Sequence, residues 1–416
     1  MSYQINLNYL HQSRENYFLV FLIIFKSSQA SVLAFSPLTT IIALLYSFYL
    51  FTKRGLKFDL FFVRINVLYI LLNFAYFLYF KENDFILSIY VLLKINYAYF
   101  TIKIVKDTFF LIYENIIYIL CLISLPLFLV QLINYDLLFS FLSLPQRFIP
   151  FLEYRNDRLA NFVFFTLESH GSVYRNSGFA WEPKGFANFI VVAIIINLIF
   201  SNFQLNKKLF VYYIALITTT STTAFICAFI LVPFWYILNK NSRFLPLFII
   251  VSFSFILVFL SLDFGFSKIK YEINMREEYK ELLDDTREFE SRSLGRFPSF
   301  IVDFNDFLKS PIFGYGFNPH LRTQSNYTKL VRVNGFSDWL ATYGLIGLSV
   351  FIFFHLRFFN RILKSFHYSG VAVLFLIIFV IYFASTLTTH PFWLMVMMFA
   401  FIQFDWINAY LYYKSN

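Results

Sequence analysis

Residues 109–133 read FFLIYENIIYILCLISLPLFLVQLI, a run in which Glu114 is the only charged side chain. A helix rises about 1.5 Å per residue, so a run of this length crosses the ~30 Å hydrocarbon core of a bilayer with its backbone hydrogen bonds satisfied internally. Eleven other stretches read the same way: 16–30, 33–51, 60–80, 85–102, 186–200, 208–221, 223–238, 244–262, 337–356, 370–387 and 391–410. Tyr17–Phe51 and Leu209–Leu238 are each only just long enough for two tight helices, and one long or re-entrant element would also fit them. The expected fold is an all-α integral membrane protein of about 12 transmembrane helices, with residues 1–416 forming one polytopic domain.

Composition agrees. With 59% hydrophobic and 14% charged residues and a mean hydropathy of +0.64, the chain carries more apolar surface than a soluble domain of 416 residues could bury. The 61 Phe and 29 Tyr come with abundant Ile, Asn and Lys, as AT-rich codon usage produces, so they are weak evidence for aromatic recognition. Cys121 and Cys227 fall inside apolar segments, where they act as small hydrophobes and support neither a disulfide framework nor a metal site. The segment Tyr17–Phe25 lacks a basic leader and a small-residue cleavage site, so the first helix is expected to stay in the mature chain.

Lys and Arg in short loops set orientation during insertion. With both termini cytoplasmic, the inner connections hold Lys53, Arg54, Lys57, Lys103, Lys106, Lys207, Lys208, Lys240, Arg243, Arg357, Arg361 and Lys364, whereas the short outer ones hold only Lys26 and Lys81. This places two large loops, 134–185 and 263–335, outside. The net charge of +10 then faces anionic lipid, and no nucleic acid partner is needed to explain it. Within the spans, Lys94 and Glu114 lie in consecutive antiparallel helices and are candidates for an intramembrane ion pair, or for separate snorkelling; Arg64, near a helix end, snorkels.

Chemistry is expected in the two large loops. The first ends in Tyr174-Arg175-Asn176-Ser177-Gly178-Phe179-Ala180-Trp181-Glu182-Pro183-Lys184-Gly185. Arg175 offers a planar fork suited to phosphate or pyrophosphate, Lys184 a point charge and Glu182 an acid, with turns at Gly178, Pro183 and Gly185 to hold them; a Trp/Lys anchor at the membrane interface would look the same. In the second loop, Glu272–Glu290 reads as a solvated mixed-charge face. The stretch Ser293–Phe317 reads as an amphipathic helix opened by Arg296, with Arg292 before it, then a Pro/Gly turn; His320, Arg322, Asn326, Arg332 and Asn334 follow. Arginines, turn glycines and amides suit an anionic headgroup carrying sugar hydroxyls. No His or carboxylate pair has ligand spacing, so neither metal nor cofactor is expected, and no Ser-His-acid arrangement, phosphate-binding glycine loop or dinucleotide fingerprint is present.

Pro311-Ile312-Phe313-Gly314-Tyr315-Gly316, preceded by Arg296 and followed by Asn334 and Tyr343-Gly344-Leu345-Ile346-Gly347-Leu348, resembles the pattern of the O-antigen polymerase and ligase superfamily. Arg175-x-x-Gly178 with Glu182-Pro183 is similar to the family's shorter external loop, and the twelve-span plan extends the resemblance over the whole chain. The resemblance implies a membrane glycosyltransferase that uses undecaprenyl-diphosphate-linked oligosaccharide at the outer face of the bacterial cytoplasmic membrane, for lipopolysaccharide, capsule or exopolysaccharide. It implies a flippase and a chain-length regulator as further partners. Ligases of this superfamily usually carry a His directly before the Asn aligned with Asn334, and here the residue is Val333, which favours the polymerase. Polymerases are often described with Gly eleven positions after an Arg in each external loop; Arg175 to Gly185 is ten and Arg332 to Gly344 is twelve. Arg175, Glu182, Arg296, His320, Asn334 and Asp338 are the catalytic candidates, and Lys184, Arg292, Arg322 and Arg332 the substrate-binding ones. Besides the ligase, a lipid-linked-glycan flippase or transporter is a rival, but its site would lie at the midplane between repeats that this chain does not display. A metal-dependent transferase would need an acidic pair after the first span, and there is no acid between Tyr17 and Leu50.

Overall fold

A computed structural model describes residues 7–81, 84–148, 160–167, 174–238, 291–324 and 329–401. The expected span 244–262, the Glu272–Glu290 face, Lys240, Arg243, Asn326 and the end of the last span lie outside these residues. The described chain is mostly helical: α1 (Leu7–Ser28), α2 (Val32–Phe35), α3 (Pro37–Lys53), α4 (Leu60–Phe80), α5 (Phe85–Val105), α6 (Phe109–Ile133), α7 (Tyr135–Phe148), α8 (Pro183–Phe200), α9 (Lys207–Thr218), α10 (Thr222–Leu238), α11 (Arg296–Lys309), α12 (Gly335–Ser365), α13 (Val371–Ala384) and α14 (Pro391–Met398). Strand β1 (Ala160–Phe162) pairs antiparallel with β2 (Phe165–Leu167), and β3 (Ser291–Ser293) pairs parallel with β4 (Lys329–Val331).

Helix starts follow local chemistry. Side-chain oxygens of Asp59, Asp84 and Asn206 accept from the amides of Phe62, Leu87 and Leu209, each at 2.9 Å. Pro37, Pro183 and Pro391 stand in first turns, where a missing N–H leaves no bond unmade. Among the described residues, α4, the α5–α6 run Phe85–Ile133, α8 and α12 are long and apolar enough to cross a membrane, and shorter apolar helices occur at Pro37–Lys53, Thr222–Val232 and Val371–Ala384. The chain is therefore an integral, mostly helical membrane protein. Among the described residues these four runs cover five of the twelve spans expected from sequence, since Phe85–Ile133 holds two of them. One reason is that α9 has only 12 residues, about 18 Å, before Thr220 takes φ +43° and ends the helix.

The helices have distinct places. In α8, 83% of the apolar window is buried and packs on α6, α9 and α10; in α4 the figure is 11%, and Val63, Val67, Leu68, Leu71, Phe74 and Leu78 face outward. Helix α8 is thus central, while α4 presents a lipid-facing surface. Helix ends meet in two sets. At one end Arg54 bonds Glu15 (2.8 Å) and the Ile104 carbonyl (3.4 Å), Lys103 pairs with Asp59 (3.0 Å), and Arg357 reaches the Ala400 carbonyl (2.9 Å). At the other, Trp181 N–H donates to Ser28 O and Asn176 N–H to Thr218 O, both at 3.0 Å.

The suggested Lys94–Glu114 pair does not form. Glu114, 1% exposed, takes Lys208 at 2.7 Å, Asn197 Nδ2 at 2.9 Å and the Tyr212 hydroxyl at 3.1 Å. Lys94 instead lies 4.1 Å from the centre of the Tyr90 ring. A helical side chain leans toward the N-terminus, so Lys94 runs back up α5 over residue i−4 while Glu114 stays one to two turns from the other end of the α5–α6 pair.

The Gly344 break in α12 fixes the second loop to the bundle. Gly344 has φ 60° and ψ −154°, a conformation open essentially to glycine alone. In an unbroken helix Leu345 and Ile346 would donate to Ala341 and Thr342. Here Leu345 N–H donates to Pro311 O (2.8 Å) and Ile346 N–H to Ile312 O (3.3 Å), while Tyr315 and Gly316 N–H donate to Ala341 O and Thr342 O, each at 2.9 Å. Two intrahelical bonds are exchanged for four between helix and loop. The contact is tight: a Cβ on Gly344 would lie 2.4 Å from Ile312 O, and one on Gly314 would lie 2.5 Å from Thr342 O. The Tyr76 hydroxyl of α4 shares its proton between Phe313 O (2.7 Å) and Thr342 O (3.2 Å). Gly344→Ala combines backbone strain with overpacking and is expected to cost roughly 2–5 kcal/mol. Gly55→Ala, also at positive φ but with nothing within 4 Å, should cost far less. Thermal unfolding of the two variants in detergent compares them; equal midpoints would show that the Gly344 contact contributes little.

Candidate functional site

The segment Tyr174–Gly185 is held by its own small polar residues. Asn176, 0% exposed, accepts from Gly178 N–H through Oδ1 (2.9 Å), and its Nδ2 reaches Thr218 Oγ1 (2.9 Å) and Ser124 Oγ (3.3 Å). Gly178 takes φ +49° against the Phe186 ring, where a Cβ would lie 2.6 Å away. These bonds seat the segment on the ends of α1 and α9 and against the side of α6, with Arg175 half-buried. Glu182 precedes α8 and pairs with Lys184 at 2.9 Å; its side chain is 36% exposed, so water weakens the pair.

The second loop is organised by carboxylates that the sequence reading passed over. The buried face of α11 carries Ser299, Val302, Asp303 and Asp306. Asp303 Oδ1 accepts from Arg322 Nη2 at 2.7 Å and forms an ion pair with the Arg332 guanidinium, whose Nε is also 2.7 Å away, and its Oδ2 accepts from Ser337 Oγ at 2.7 Å. Arg332 Nη2 also reaches Asp306 Oδ2 (3.3 Å) and donates to Thr323 O. Arg322 Nη1 continues to Asp338 Oδ1 at 2.8 Å. Burial pushes the Asp303 carboxyl up to about 6, with Arg322 drawing it down and Asp338 adding to the rise. Burial opposes the charge on Arg322 too, but Asp338 and Asp303 outweigh it and hold that guanidinium above its ordinary value. Arg322 and Arg332 are therefore engaged by acids of the chain itself.

Asn334 is fully buried and acts as the cap of α12: its Oδ1 accepts from Ser337 N–H (3.1 Å) and its Nδ2 reaches Arg296 O (3.4 Å). Asp338, one turn later, is the partly exposed carboxylate, at 28%. His320 is exposed in the short turn Pro319–Leu321, its backbone N–H held by Asn318 Oδ1 (2.9 Å). Arg292 stands in β3 opposite Leu330.

Between α13 and α14, the connector Ser385-Thr386-Leu387-Thr388-Thr389-His390 joins the two loop regions. Arg296 Nε donates to Ala384 O just before it (3.3 Å), and Asn188 of α8 donates to Ser385 Oγ (3.3 Å). Gly335 approaches Ser385 O so closely that a Cβ would lie 2.1 Å away. His390 meets Ser27 O through Nδ1 (3.3 Å) and Gln29 Nε2 through Nε2 (2.6 Å), which fits an Nδ1–H tautomer. Arg296 thus meets this connector at Ala384, and α8 meets it through Asn188, one turn beyond Lys184; Arg175 lies beside Asn176, and all three cations are half-buried. Among the described residues no group of three or more His, Cys, Asp or Glu is placed to hold a metal ion. Asp303, Asp306, Ser337, Asn188 and His390 were missed; the available signals were the Asp-x-x-Asp spacing on an amphipathic helix and a polar run between two apolar spans.

A family model described as O-Antigen ligase matches residues 208–352, about a third of the chain. It covers Arg292, Arg296, His320, Arg322, Arg332, Asn334 and Asp338 and supports the polymerase and ligase superfamily that the sequence motifs resemble; Arg175, Glu182 and Lys184 precede it. No curated protein matches the chain. Removing Asp303 would leave two arginines facing a buried neutral group, so Asp303→Asn is expected to destabilise the protein by about 3–5 kcal/mol. Asp338→Asn, at a partly exposed position with one ionic contact, should lower the unfolding midpoint in detergent much less; the reverse order would show that Asp303 does not organise the loop.

Proposed function

We propose that this chain is a polymerase that joins undecaprenyl-diphosphate-linked oligosaccharide repeats into O-antigen, capsule or exopolysaccharide. The observation that carries the choice of polymerase over ligase is Val333. Its N–H bonds Ser299 Oγ (3.2 Å) and the next residue caps α12, so the turn that bears a His in ligases of this superfamily presents no imidazole. In this reading a sugar hydroxyl of one repeat attacks the anomeric carbon of another, the new C–O bond forms as the bond to diphosphate breaks, and the hydroxyl proton passes to a carboxylate. Arg175, Lys184 and Arg296 would neutralise the departing diphosphate without a metal, because fixed cations stabilise the charge where it develops. Asp338 is the best placed acid: the Arg322 contact holds its carboxylate at the first turn of α12 while leaving it partly open. Glu182 and His320 are the alternatives.

The same reading places residues 134–185 and 263–335 outside the cytoplasmic membrane, with both termini inside. Cys121 and Cys227 are buried and give little labelling background. A cysteine at the exposed Asn305 should react with an impermeant maleimide added outside, and one at the exposed Lys207 should not; external labelling at Lys207 would invert the topology.

Loss of one charge-assisted contact to the diphosphate is worth on the order of a hundredfold in turnover. Arg175→Ala and Arg296→Ala should each abolish polymer at normal protein abundance, and Arg175→Lys should recover only part, since an ammonium lacks the fork. Gels of surface polysaccharide give the readout. Deleting the gene should leave single-repeat bands, whereas lipid-linked polymer that fails to transfer would indicate the ligase, and full activity in Arg296→Ala would remove that residue from the mechanism.

A further inference from the structure

Arg322 is held as a split fork. Its Nη2 donates to Asp303 Oδ1 at 2.7 Å and its Nη1 to Asp338 Oδ1 at 2.8 Å, with Thr342 Oγ1 a longer second acceptor at 3.4 Å. Its Nε–H is buried and has no acceptor among the described residues. An arginine offered a single carboxylate can close on both of its oxygens with two parallel N–H groups, which is the stronger geometry. Here Asp303 takes one arm, so Asp338 gives up only Oδ1. Asp338 Oδ2 has no partner among the described residues, and that side chain is 28% exposed, whereas Asp303 is 0% exposed. The charges around Asp303 are Arg322, Arg332, Asp338 at the first turn of α12, and Asp306 one turn along α11, which shares Arg332 with it; Lys309 lies 3.9 Å from Asp306 on the exposed side. Three carboxylates thus share two guanidinium groups. Burial pushes the Asp303 carboxyl up to about 6, while the Ser337 hydroxyl, donating to Oδ2, favours its charged form.

We infer that Asp303 is a positioning residue for Asp338: ionised, it holds one arm of Arg322 and keeps Asp338 Oδ2 open to the proton of the attacking sugar hydroxyl. Neutral, it releases that arm, and the fork closes on both oxygens of Asp338. The inference rests on the reading of Asp338 as the proton acceptor in polymerisation. In that step the hydroxyl O–H bond breaks as its oxygen bonds the anomeric carbon, the proton goes to Oδ2, and the diphosphate leaves with the electron pair of the broken C–O bond. Because the Asp303 carboxyl gains its proton as pH falls through about 6, activity is present above that value and lost below it.

The test is the rate of polymer formation, as a function of pH, in membranes that carry the full-length protein and the cell's own lipid-linked repeats. The wild-type rate should fall about tenfold per pH unit below about 6. Ser337→Ala removes a donor to the ionised Asp303 and should move that limb to higher pH. Arg322→Lys should lose the limb, since a single ammonium cannot close on two oxygens as a fork does. Asp303→Asn, where it folds, should lower the rate about tenfold or more above the limb and abolish the limb itself. A purely structural Asp303 predicts less folded protein and the wild-type limb in every variant that folds. Asp338→Asn separates the two readings. Full polymer there would remove Asp338 as proton acceptor and this inference with it. Loss of polymer there, with the limb unmoved in Ser337→Ala and kept in Arg322→Lys, would overturn the positioning role alone, as would a wild-type rate that stays flat through pH 6.

Discussion

Backbone amides and carbonyls in a membrane protein must find partners inside the protein, and the break at Gly344 obeys that constraint by exchange. The carbonyls of Ala341 and Thr342 and the amides of Leu345 and Ile346 give up their helical partners and take the 311–316 loop instead. Water can satisfy a kinked helix in a soluble protein, but lipid cannot, so the loop is an obligatory part of the helix. The two glycine-containing motifs, 30 residues apart at Gly314 and Gly344, are two halves of one contact. With Tyr76 bonded to both halves, α4 is tied to the same point.

Electrostatics then decides which cations the acids of the second loop engage. Asp303 and Asp306 are buried on α11, and buried carboxylates demand counter-charges; Arg322 and Arg332 supply them. Arg175, Lys184 and Arg296 are half-buried elsewhere, Lys184 in a pair with Glu182 and Arg296 against the Ala384 carbonyl. A run of arginines in a sequence looks uniform, yet the fold gives its members different partners: Arg322 and Arg332 hold the loop together through Asp303, and Arg296 reaches the Ala384 carbonyl. Asp338 is bonded to Arg322 and remains partly open.

Much of the helical plan was legible because its causes are local. Spans 60–80 and 109–133 coincide with α4 and α6, and the amphipathic helix opened by Arg296 followed by a Pro/Gly turn is present as α11. Caps such as Asp59 and Asp84 act within three residues. Other readings failed where hydropathy was silent about length and partners. Helix α9 is shorter than its apolar run, α7 and the β1–β2 hairpin arise within a stretch read only as loop, and α12 extends past its expected end to Ser365.

The sequence by itself determined the membrane class and most helix positions, since each depends on hydrophobic burial and on bonds between near neighbours. Only the tertiary structure decided the pairings. Glu114 takes Lys208 rather than Lys94, Asn334 is buried as a helix cap, and His390 joins Gln29 from more than 350 residues away. Hydrogen bonds and ion pairs act over about 3 Å, so which partner lies within reach is set by how the helices pack, and the order of residues along the chain does not contain that distance.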